Sequence, residues 1–292
     1  MDRSFNASVR LSLLLIFAIC MWGCSTTGLM VRSMNPLMEG MTTAVNRNPD
    51  VDMVRDALPA SLIQMDGLIQ ASPDTKLLLR ASEAYFGYTF AFVADTDKQR
   101  ARMLHLKARN YALRVLMLND HFRDSFDKGI DAFTKSLNEL EKEDVPALFW
   151  TANNWMAWIA LNLSNPEVLL DVPKVEAMLL RILELDETYY NGGAHATLGA
   201  FYASRSKAIG GDPQKAKYHF DRAFELSGSK LLFVHLLYAQ YYAYQIQDRE
   251  LFVKTLEAVI ATPVDYYPDK NFANEIAKRK ARVLLENVDD YF

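Results

Sequence analysis

The stretch LGAFYASRSKAIGGDPQKAKYHFDRAFEL, residues 198–226, contains two segments with helical spacing on either side of a glycine-rich turn. Small residues recur in both segments, Gly199 in the first and Ala216 in the second, with aromatic side chains between them. Asp212 precedes Pro213, an order typical of a helix N-cap followed by proline in the first turn. Because small residues let two helices approach closely, this stretch predicts an antiparallel helical hairpin.

The same residue types occur in tetratricopeptide repeats, where small residues bring two antiparallel helices together and tyrosine and phenylalanine fill the space between pairs. The spacing in this chain is looser than in that repeat. Tyr202 and Ala216 are 14 residues apart, longer than in the consensus, and the insertion lies around residues 210–211. The stretch therefore resembles a degenerate repeat rather than a regular one.

Helix ends of similar sequence recur along the C-terminal half. They begin at Leu183, Phe224 and Val259, 41 and 35 residues apart, which brackets the repeat period of about 34 residues. We predict tetratricopeptide-like hairpins over residues 144–262, after an irregular helical N-terminal half. A generic helical array without true repeats is the alternative.

Helical spacing continues along nearly all of residues 36–292, and no useful length of sequence alternates as a strand would. The apolar residues predict helices over residues 37–47, 51–70, 75–94, 97–118, 122–141, 145–163, 173–186, 188–205, 213–226, 230–245, 248–260 and 270–287. Pro59 is expected to kink or divide the second of them. The predicted fold is all-α, a single domain of about a dozen helices arranged as an α-solenoid.

Composition agrees with this fold class and excludes others. The 12 glycines and 10 prolines make up about 8% of the 292 residues, below the average of about 12% for the two residue types together. Turn-dense β folds and disordered chains need more of both, so they are disfavoured. The net charge of −4, from 32 basic and 36 acidic side chains, offers no basic excess for nucleic acid.

The first 23 residues have the pattern of a secretory signal. Arg3 and Arg10 precede an apolar run over residues 11–22, which spans about 18 Å and is too short for a hydrocarbon core of roughly 30 Å. Gly23 then stands directly before Cys24. Gly-Cys at the end of such a run resembles a lipobox, the processing signal of bacterial lipoproteins.

We therefore expect cleavage before Cys24, lipidation of its thiol, and a lipid-anchored tether over residues 24–35. More than one acyl chain gives firm membrane anchoring. Met21 and Trp22 depart from the usual lipobox residues, so an ordinary cleaved signal with an incidental cysteine is the alternative. Both cysteines lie within the first 24 residues, and the processed chain is expected to have no internal disulfide.

Several sequence blocks occur in a fixed order along the chain. They are LLLRA at 77–81, ALFW at 147–150, PKVEA at 173–177, LELDE at 183–187, GGAH at 192–195, GGDP at 210–213 and NEIA at 274–277. Together they resemble the T component, a tetratricopeptide-like lipoprotein family associated with tripartite ATP-independent periplasmic (TRAP) transporters. The resemblance extends over the whole processed chain.

The resemblance implies a non-enzymatic, periplasm-facing lipoprotein of the bacterial envelope that works beside a substrate-binding P subunit and a membrane permease pair. It also implies a homotrimer in which each protomer has a pore-like opening and P subunits dock on the outside. Such transporters move organic acids and other small organic molecules with an ion gradient. A tetratricopeptide-type lipoprotein adaptor for envelope assembly is the alternative function.

Patterns of catalytic or metal-binding residues are absent from the sequence. The five histidines contain no pair at i, i+4, and there is no HExxH, Walker or G-x-S-x-G motif. We expect no catalytic residue, no metal and no cofactor. An enzyme such as a cell-wall lyase with an α-superhelical region would need a further catalytic domain.

Four aromatic residues are candidates for contact with a small organic or apolar ligand or a partner. Trp150 and Trp155 lie on one predicted helix and can line an apolar site. Tyr189 and Tyr190 precede the glycines of residues 192–193, which permit close approach of the backbone to a neighbour. Packing within the core is the alternative for all four.

Four further candidates precede the glycine-rich turn of the 198–226 hairpin. His195 and Tyr202 belong to its first helix, and Arg205 and Lys207 precede the Gly-Gly insertion. Loops on rigid scaffolds often carry binding residues, so a small basic rim here can meet an acidic ligand or the P subunit. Ordinary packing and exposed charge are the alternatives.

Overall fold

The computed structural model describes residues 26–292, which are helical almost throughout and contain no strand. This confirms the predicted all-α fold class for the described part of the chain. Its α-helices are α1 (Thr26–Ser33), α2 (Asn35–Arg47), α3 (Val51–Ala71), α4 (Thr75–Tyr88), α5 (Lys98–Leu116), α6 (Asp120–Ser125), α7 (Ile130–Leu137), α8 (Val145–Ala160), α9 (Val172–Asp186), α10 (Tyr189–Ala203), α11 (Pro213–Ser227), α12 (Leu232–Leu237), α13 (Arg249–Ala261) and α14 (Asn271–Glu286). Two π-helical turns, Thr89–Val93 and Tyr238–Ala243, extend α4 and α12.

Aspartates begin several of these helices. The Asp212 carboxylate accepts hydrogen bonds from the backbone N–H groups of Gln214 and Lys215 at 2.9 and 3.1 Å, which is the cap predicted from its position before Pro213. Asp74 does the same at the start of α4. Each cap satisfies N–H groups that have no partner within the first turn of a helix.

The structure bears on two details of the predicted helices. The single helix predicted over residues 122–141 is two helices, α6 and α7, because Gly129 leaves the helical conformation with a ψ of 164° and the Phe122 and Phe133 rings pack 5.6 Å apart across the break. One of the two outcomes expected at Pro59, a division of the helix, is absent, since α3 continues through this residue; the other, a kink, stays a prediction.

The tether predicted for residues 24–35 is helical over its described part. Helix α1 covers most of it, and Val31 is buried in a cluster that includes Met38 and Leu77. Its role as a tether stays a prediction, as do the 1–23 signal and the lipidation of Cys24, because these residues lie outside the described chain. No helix within residues 26–292 is long and apolar enough to cross a membrane.

Helices α10 and α11 form the predicted antiparallel hairpin. Gly192 near the start of α10 faces Leu226 near the end of α11, whereas Gly199 faces Phe220 further along. A Cβ atom on Gly199 would lie 2.9 Å from the Phe220 ring, so this contact requires glycine. The small residue therefore allows the close approach inferred from the sequence.

The last helix of the array packs against the first ones. The two terminal nitrogens of the Arg279 guanidinium group on α14 donate hydrogen bonds to the Asp52 carboxylate on α3, each at 2.9 Å. The Phe92 and Phe272 ring centroids, on the first π-helical turn and α14, are 6.1 Å apart. Helix α14 thus packs against α3 and the π-helical turn that extends α4.

Candidate ligand site

One face of α4 is only partly covered by the helices around it. Glu83, Phe86, Gly87 and Phe90 follow one another at i, i+3, i+4 and i+7, so they share this face. All four are half-buried. A Cβ atom placed on Gly87 would meet no other atom within 4 Å. The space in front of this face is therefore open.

Aromatic rings from α8 and α10 surround one end of this space. The Phe86 ring centroid lies 5.7 Å from that of Trp150, and Trp150 lies 5.0 Å from Tyr190 in an edge-to-face arrangement. Phe149 contacts both Tyr189 and Tyr190 at 5.3 Å. Aromatic pairs at these separations attract one another beyond the apolar area they bury, so the wall is rigid.

A second part of the wall comes from the C-terminal helices. The Phe90 ring is edge-to-face with Phe233 of α12 at 5.0 Å, and the Lys280 ammonium lies 4.5 Å from the Phe90 ring centroid. We call this surface the aromatic concavity and define it by seven residues. They are Phe86, Phe90, Phe149, Trp150, Tyr189, Tyr190 and Phe233.

Both π-helical turns border the aromatic concavity. The first contains Phe90, and the second begins five residues after Phe233. Such turns are rare and often occur at functional sites. Here they interrupt the regular spacing of the two chain segments whose aromatic side chains meet across the middle of the protein.

Glu83 places a carboxyl group inside the aromatic concavity. The Tyr190 hydroxyl donates a hydrogen bond to its Oε1 atom at 3.1 Å. Burial raises the pKa of the Glu83 carboxyl above its ordinary value, although Lys270, the Tyr190 hydroxyl and Arg80 act in the opposite direction. Among the described residues, no basic nitrogen lies within 4.0 Å of this carboxylate, so it forms no ion pair with any of them.

Tyr190 combines enclosure with access to solvent. Burial raises the pKa of its hydroxyl well above the ordinary value, yet the side chain keeps 38% of its surface exposed. Tyr190 is therefore accessible from solvent. The Lys270 ammonium, from the turn before α14, lies 4.8 Å from the Tyr190 ring centroid, within cation–π range.

An unusual backbone conformation places Tyr190 there. Tyr190, Asn191 and Gly192 have φ values of 51°, 57° and 77°, in the left-handed region that costs roughly 1–2 kcal/mol for each residue other than glycine. The regular helix predicted over 188–205 is therefore wrong at these residues and begins only at Gly193. Strained backbone of this kind often occurs at functional sites.

The two glycines let this turn lie against its neighbours. A Cβ atom on Gly193 would stand 2.7 Å from Cζ of Phe149, and one on Gly192 would stand 3.0 Å from Cβ of Leu226. These contacts hold the turn between α8 and α11. The predicted role of the glycine pair in close backbone approach thus has a structural basis, and the neighbours are helices of the same chain.

The structure brings together three of the predicted site residues, Trp150, Tyr189 and Tyr190, in the aromatic concavity. Trp155 lies elsewhere on α8. Its indole N–H donates a hydrogen bond to Asp171 at 3.2 Å, and the Arg109 guanidinium lies 5.0 Å from its ring centroid. Its described contacts are thus packing contacts between α5, α8 and the turn before α9.

His195 lies in the interface between α10 and α11, with 2% of its surface exposed. Its Nδ1 is 2.9 Å from Nδ1 of His219, and its Nε2 is 3.2 Å from the Glu187 carboxylate. Burial lowers the pKa of His195 below its ordinary value, and Glu187 opposes this shift. Burial and the neighbouring His195 lower the pKa of His219 to about 4.

Tyr202 is buried in the same interface. Its hydroxyl donates a hydrogen bond to Glu176 at 2.5 Å, and its ring stacks on His219 with an interplanar angle of 16°. Tyr202 thereby links α9, α10 and α11. It has no described contact with the aromatic concavity.

Arg205 and Lys207 lie in the turn between α10 and α11. The Arg205 guanidinium is 3.5 Å from the centroid of the Phe201 ring, and burial lowers the pKa of Arg205. A Cβ atom on Gly211 would overlap the Arg205 carbonyl oxygen, which explains the glycine there. Lys207 is exposed, so it contributes the accessible charge of the predicted basic rim.

The sequence analysis missed several residues of the aromatic concavity. Glu83, Phe86 and Phe90 carried a usable signal, because a carboxyl group and a glycine interrupt an otherwise aromatic helix face. Phe233 and Lys270 carried none, since only the fold brings them to α4. Within the described range 26–292, no three metal-ligating side chains cluster closely enough to hold an ion.

Comparison with known proteins gives two matches. A family model described as the TRAP transporter T-component matches residues 47–292, which include every residue of the aromatic concavity. An uncharacterized protein of Treponema pallidum (strain Nichols) is 25% identical over an alignment of 309 positions, gaps included, which covers 94% of this chain and 96% of that protein. The similarity to that protein thus extends over nearly the full length of both chains.

Proposed function

The chain belongs to the TRAP transporter T-component family, and we propose from this premise that it is a lipid-anchored, periplasm-facing scaffold of a TRAP-type transport system. In this role three copies associate, each copy docks a substrate-binding P subunit, and the aromatic concavity holds a small organic ligand during its transfer. The role is non-enzymatic. The observation that carries the ligand step is the open space in front of Gly87.

The composition of the aromatic concavity supports reversible binding. Small-molecule sites are concave, largely apolar, and contain a few polar groups that orient the ligand. Here aromatic rings supply the apolar contacts, while Glu83 and the Tyr190 hydroxyl supply the polar ones. A site of this kind holds a ligand without bond formation, which suits a protein that passes its ligand on.

The proposed anchor is Cys24, and the first described helix supports its position at a membrane surface. Leu29 and Met30 on α1 follow Cys24 closely and expose 69% and 66% of their surface. Apolar side chains beside an acyl anchor can insert at the lipid headgroup boundary. Intact-mass measurement of the membrane-extracted protein tests this: cleavage before Cys24 with added acyl mass is expected, and an unmodified thiol contradicts the anchor.

Capture from cells tests the transport role. The full-length chain with a C-terminal affinity tag is crosslinked in intact cells, extracted and captured, and the bound proteins are identified by mass spectrometry. We expect a solute-binding subunit and a crosslinked trimer of the chain. A monomer that captures envelope-assembly factors instead of a solute-binding subunit would refute the scaffold proposal and favour the adaptor function.

A further inference from the structure

The Glu83 carboxyl group has few polar partners for a group that lies among aromatic side chains. Among the described residues its hydrogen-bond partner is the Tyr190 hydroxyl, at 3.1 Å, and its Oε2 atom accepts no bond from them. A carboxylate in apolar surroundings is costly unless it is paired. A partner of opposite charge beside this carboxylate would therefore be favourable.

The surrounding rings favour the same kind of partner. Faces of aromatic rings carry negative potential and attract cations, above all organic ammonium groups. Trp150, Phe149 and Tyr190 form one continuous set of rings, with centroids 5.0–5.3 Å apart. An anion in this place would face both the ring faces and the Glu83 carboxylate.

Two lysines of the chain already use this potential. The Lys280 ammonium lies 4.5 Å from the centroid of the Phe90 ring and forms an ion pair with Asp95. The Lys270 ammonium lies 4.8 Å from the centroid of the Tyr190 ring, but it makes no ion pair with Glu83. Its charge disfavours a second cation nearby and provides the nearest attraction for an anion. Glu83 and Gly87 lie on the same face of α4, so the carboxylate still favours a cationic ligand there, and Lys270 weakens that preference.

We propose that the aromatic concavity selects small organic cations, with an ammonium group beside Glu83 and an apolar body against the rings of Trp150 and Phe86. This inference rests on the proposed ligand site and adds the charge of the ligand. The ammonium group supplies the partner that Glu83 lacks, and the apolar body occupies the space in front of Gly87.

The test compares aromatic probes of similar size and different charge, namely benzyltrimethylammonium, phenylacetate and benzyl alcohol. The full-length protein is extracted in a non-ionic detergent. It carries Trp22→Phe, Trp155→Phe and Trp158→Phe, so that Trp150 is the remaining tryptophan and reports on the aromatic concavity. We expect saturable quenching or shift of the Trp150 emission by benzyltrimethylammonium, and at least tenfold weaker binding of phenylacetate.

Variants that change the charge distinguish the effect of Glu83 on ligand binding from a general loss of structure. Glu83→Gln should weaken benzyltrimethylammonium binding at least tenfold and benzyl alcohol binding much less than that, and Lys270→Gln should tighten cation binding severalfold. Glu257→Gln, an exposed change on α13, is the matched control and should have no effect. The midpoint of urea unfolding is measured for each variant, and Lys270→Gln still tests the charge preference if Glu83→Gln unfolds.

Two different failures can be distinguished. Tighter binding of phenylacetate, lost in Lys270→Gln and abolished by Gly87→Leu, would overturn the cation preference while leaving the ligand site in place. Absence of any response of Trp150 to the three probes, with Gly87→Leu indistinguishable from the parent, would overturn both the cation preference and the proposed ligand site.

Discussion

Substitution of Gly193 by alanine should destabilise the protein through the aromatic concavity. The added Cβ atom would stand 2.7 Å from Cζ and 2.8 Å from Cε2 of Phe149, whereas carbon atoms pack at about 3.5–4.0 Å. The Phe149 ring must therefore move by about 0.8 Å or more. It is buried and contacts Trp150, Tyr189 and Tyr190, so these rings must move with it.

The size of the effect follows from two opposing terms. Overpacking a buried site costs about 1–3 kcal/mol, and replacing a helical glycine by alanine recovers about 0.5–1 kcal/mol. Gly193→Ala should thus lower the free energy of unfolding by up to about 2.5 kcal/mol. Gly87→Ala is the matched control, because its Cβ atom meets nothing within 4 Å, and it should raise the same free energy by about 0.5–1 kcal/mol.

Urea unfolding followed by far-ultraviolet circular dichroism measures both changes. In the background in which Trp150 is the remaining tryptophan, its emission reports the displacement of the rings. We expect opposite signs for the two variants and an altered emission maximum for Gly193→Ala alone. Equal effects of the two substitutions on the free energy of unfolding would refute the claim that Gly193 is required by the Phe149 ring.

Three further predictions concern stability. Asp212→Ala removes the cap of α11 and should lower the free energy of unfolding by about 0.5–2 kcal/mol; an unchanged urea midpoint would contradict the cap. Because the pKa of His219 falls from 6.5 to about 4 on folding, the unfolded chain binds more protons between these values, and stability should drop as the pH decreases from 6.5 towards 4. The urea midpoint should fall less steeply with decreasing pH in His219→Gln than in the wild type. An identical pH dependence of the two proteins would exclude His219 as a source of this loss of stability. Arg279→Ala breaks an exposed ion pair with Asp52 and should cost less than about 1 kcal/mol, so a larger loss would mean that closure of the array depends on this pair.

Helical spacing was sufficient to predict the all-α fold and most helix bounds. It could not predict where single residues leave the helical backbone conformation. Gly129 separates α6 from α7 without any proline, and its neighbours keep apolar spacing on both sides. At Tyr190 and Asn191 the left-handed conformation leaves no mark on periodicity. Only the nearby glycine pair hinted that the chain departs from a regular helix.

The candidate site was less predictable than the fold, because it is assembled across the sequence. Tyr190 and Glu83 are 107 residues apart, and Phe233 and Lys270 come from further helices. The sequence singled out Trp150, Tyr189 and Tyr190 by residue type, and proximity to α4 then depended on how the array closes. The family resemblance is confirmed by the match over residues 47–292, while lipidation of Cys24, the trimer and the P-subunit contact remain predictions.

Native mass spectrometry of the protein extracted from its own cells tests the central claim, that the aromatic concavity is a ligand site, most directly. The wild-type chain and Gly87→Leu are compared, with equal urea midpoints as the condition for the comparison. We expect a small organic molecule to copurify with the wild type and to be lost in Gly87→Leu, whose side chain fills the open space. Equal retention of that molecule by both proteins would contradict the claim.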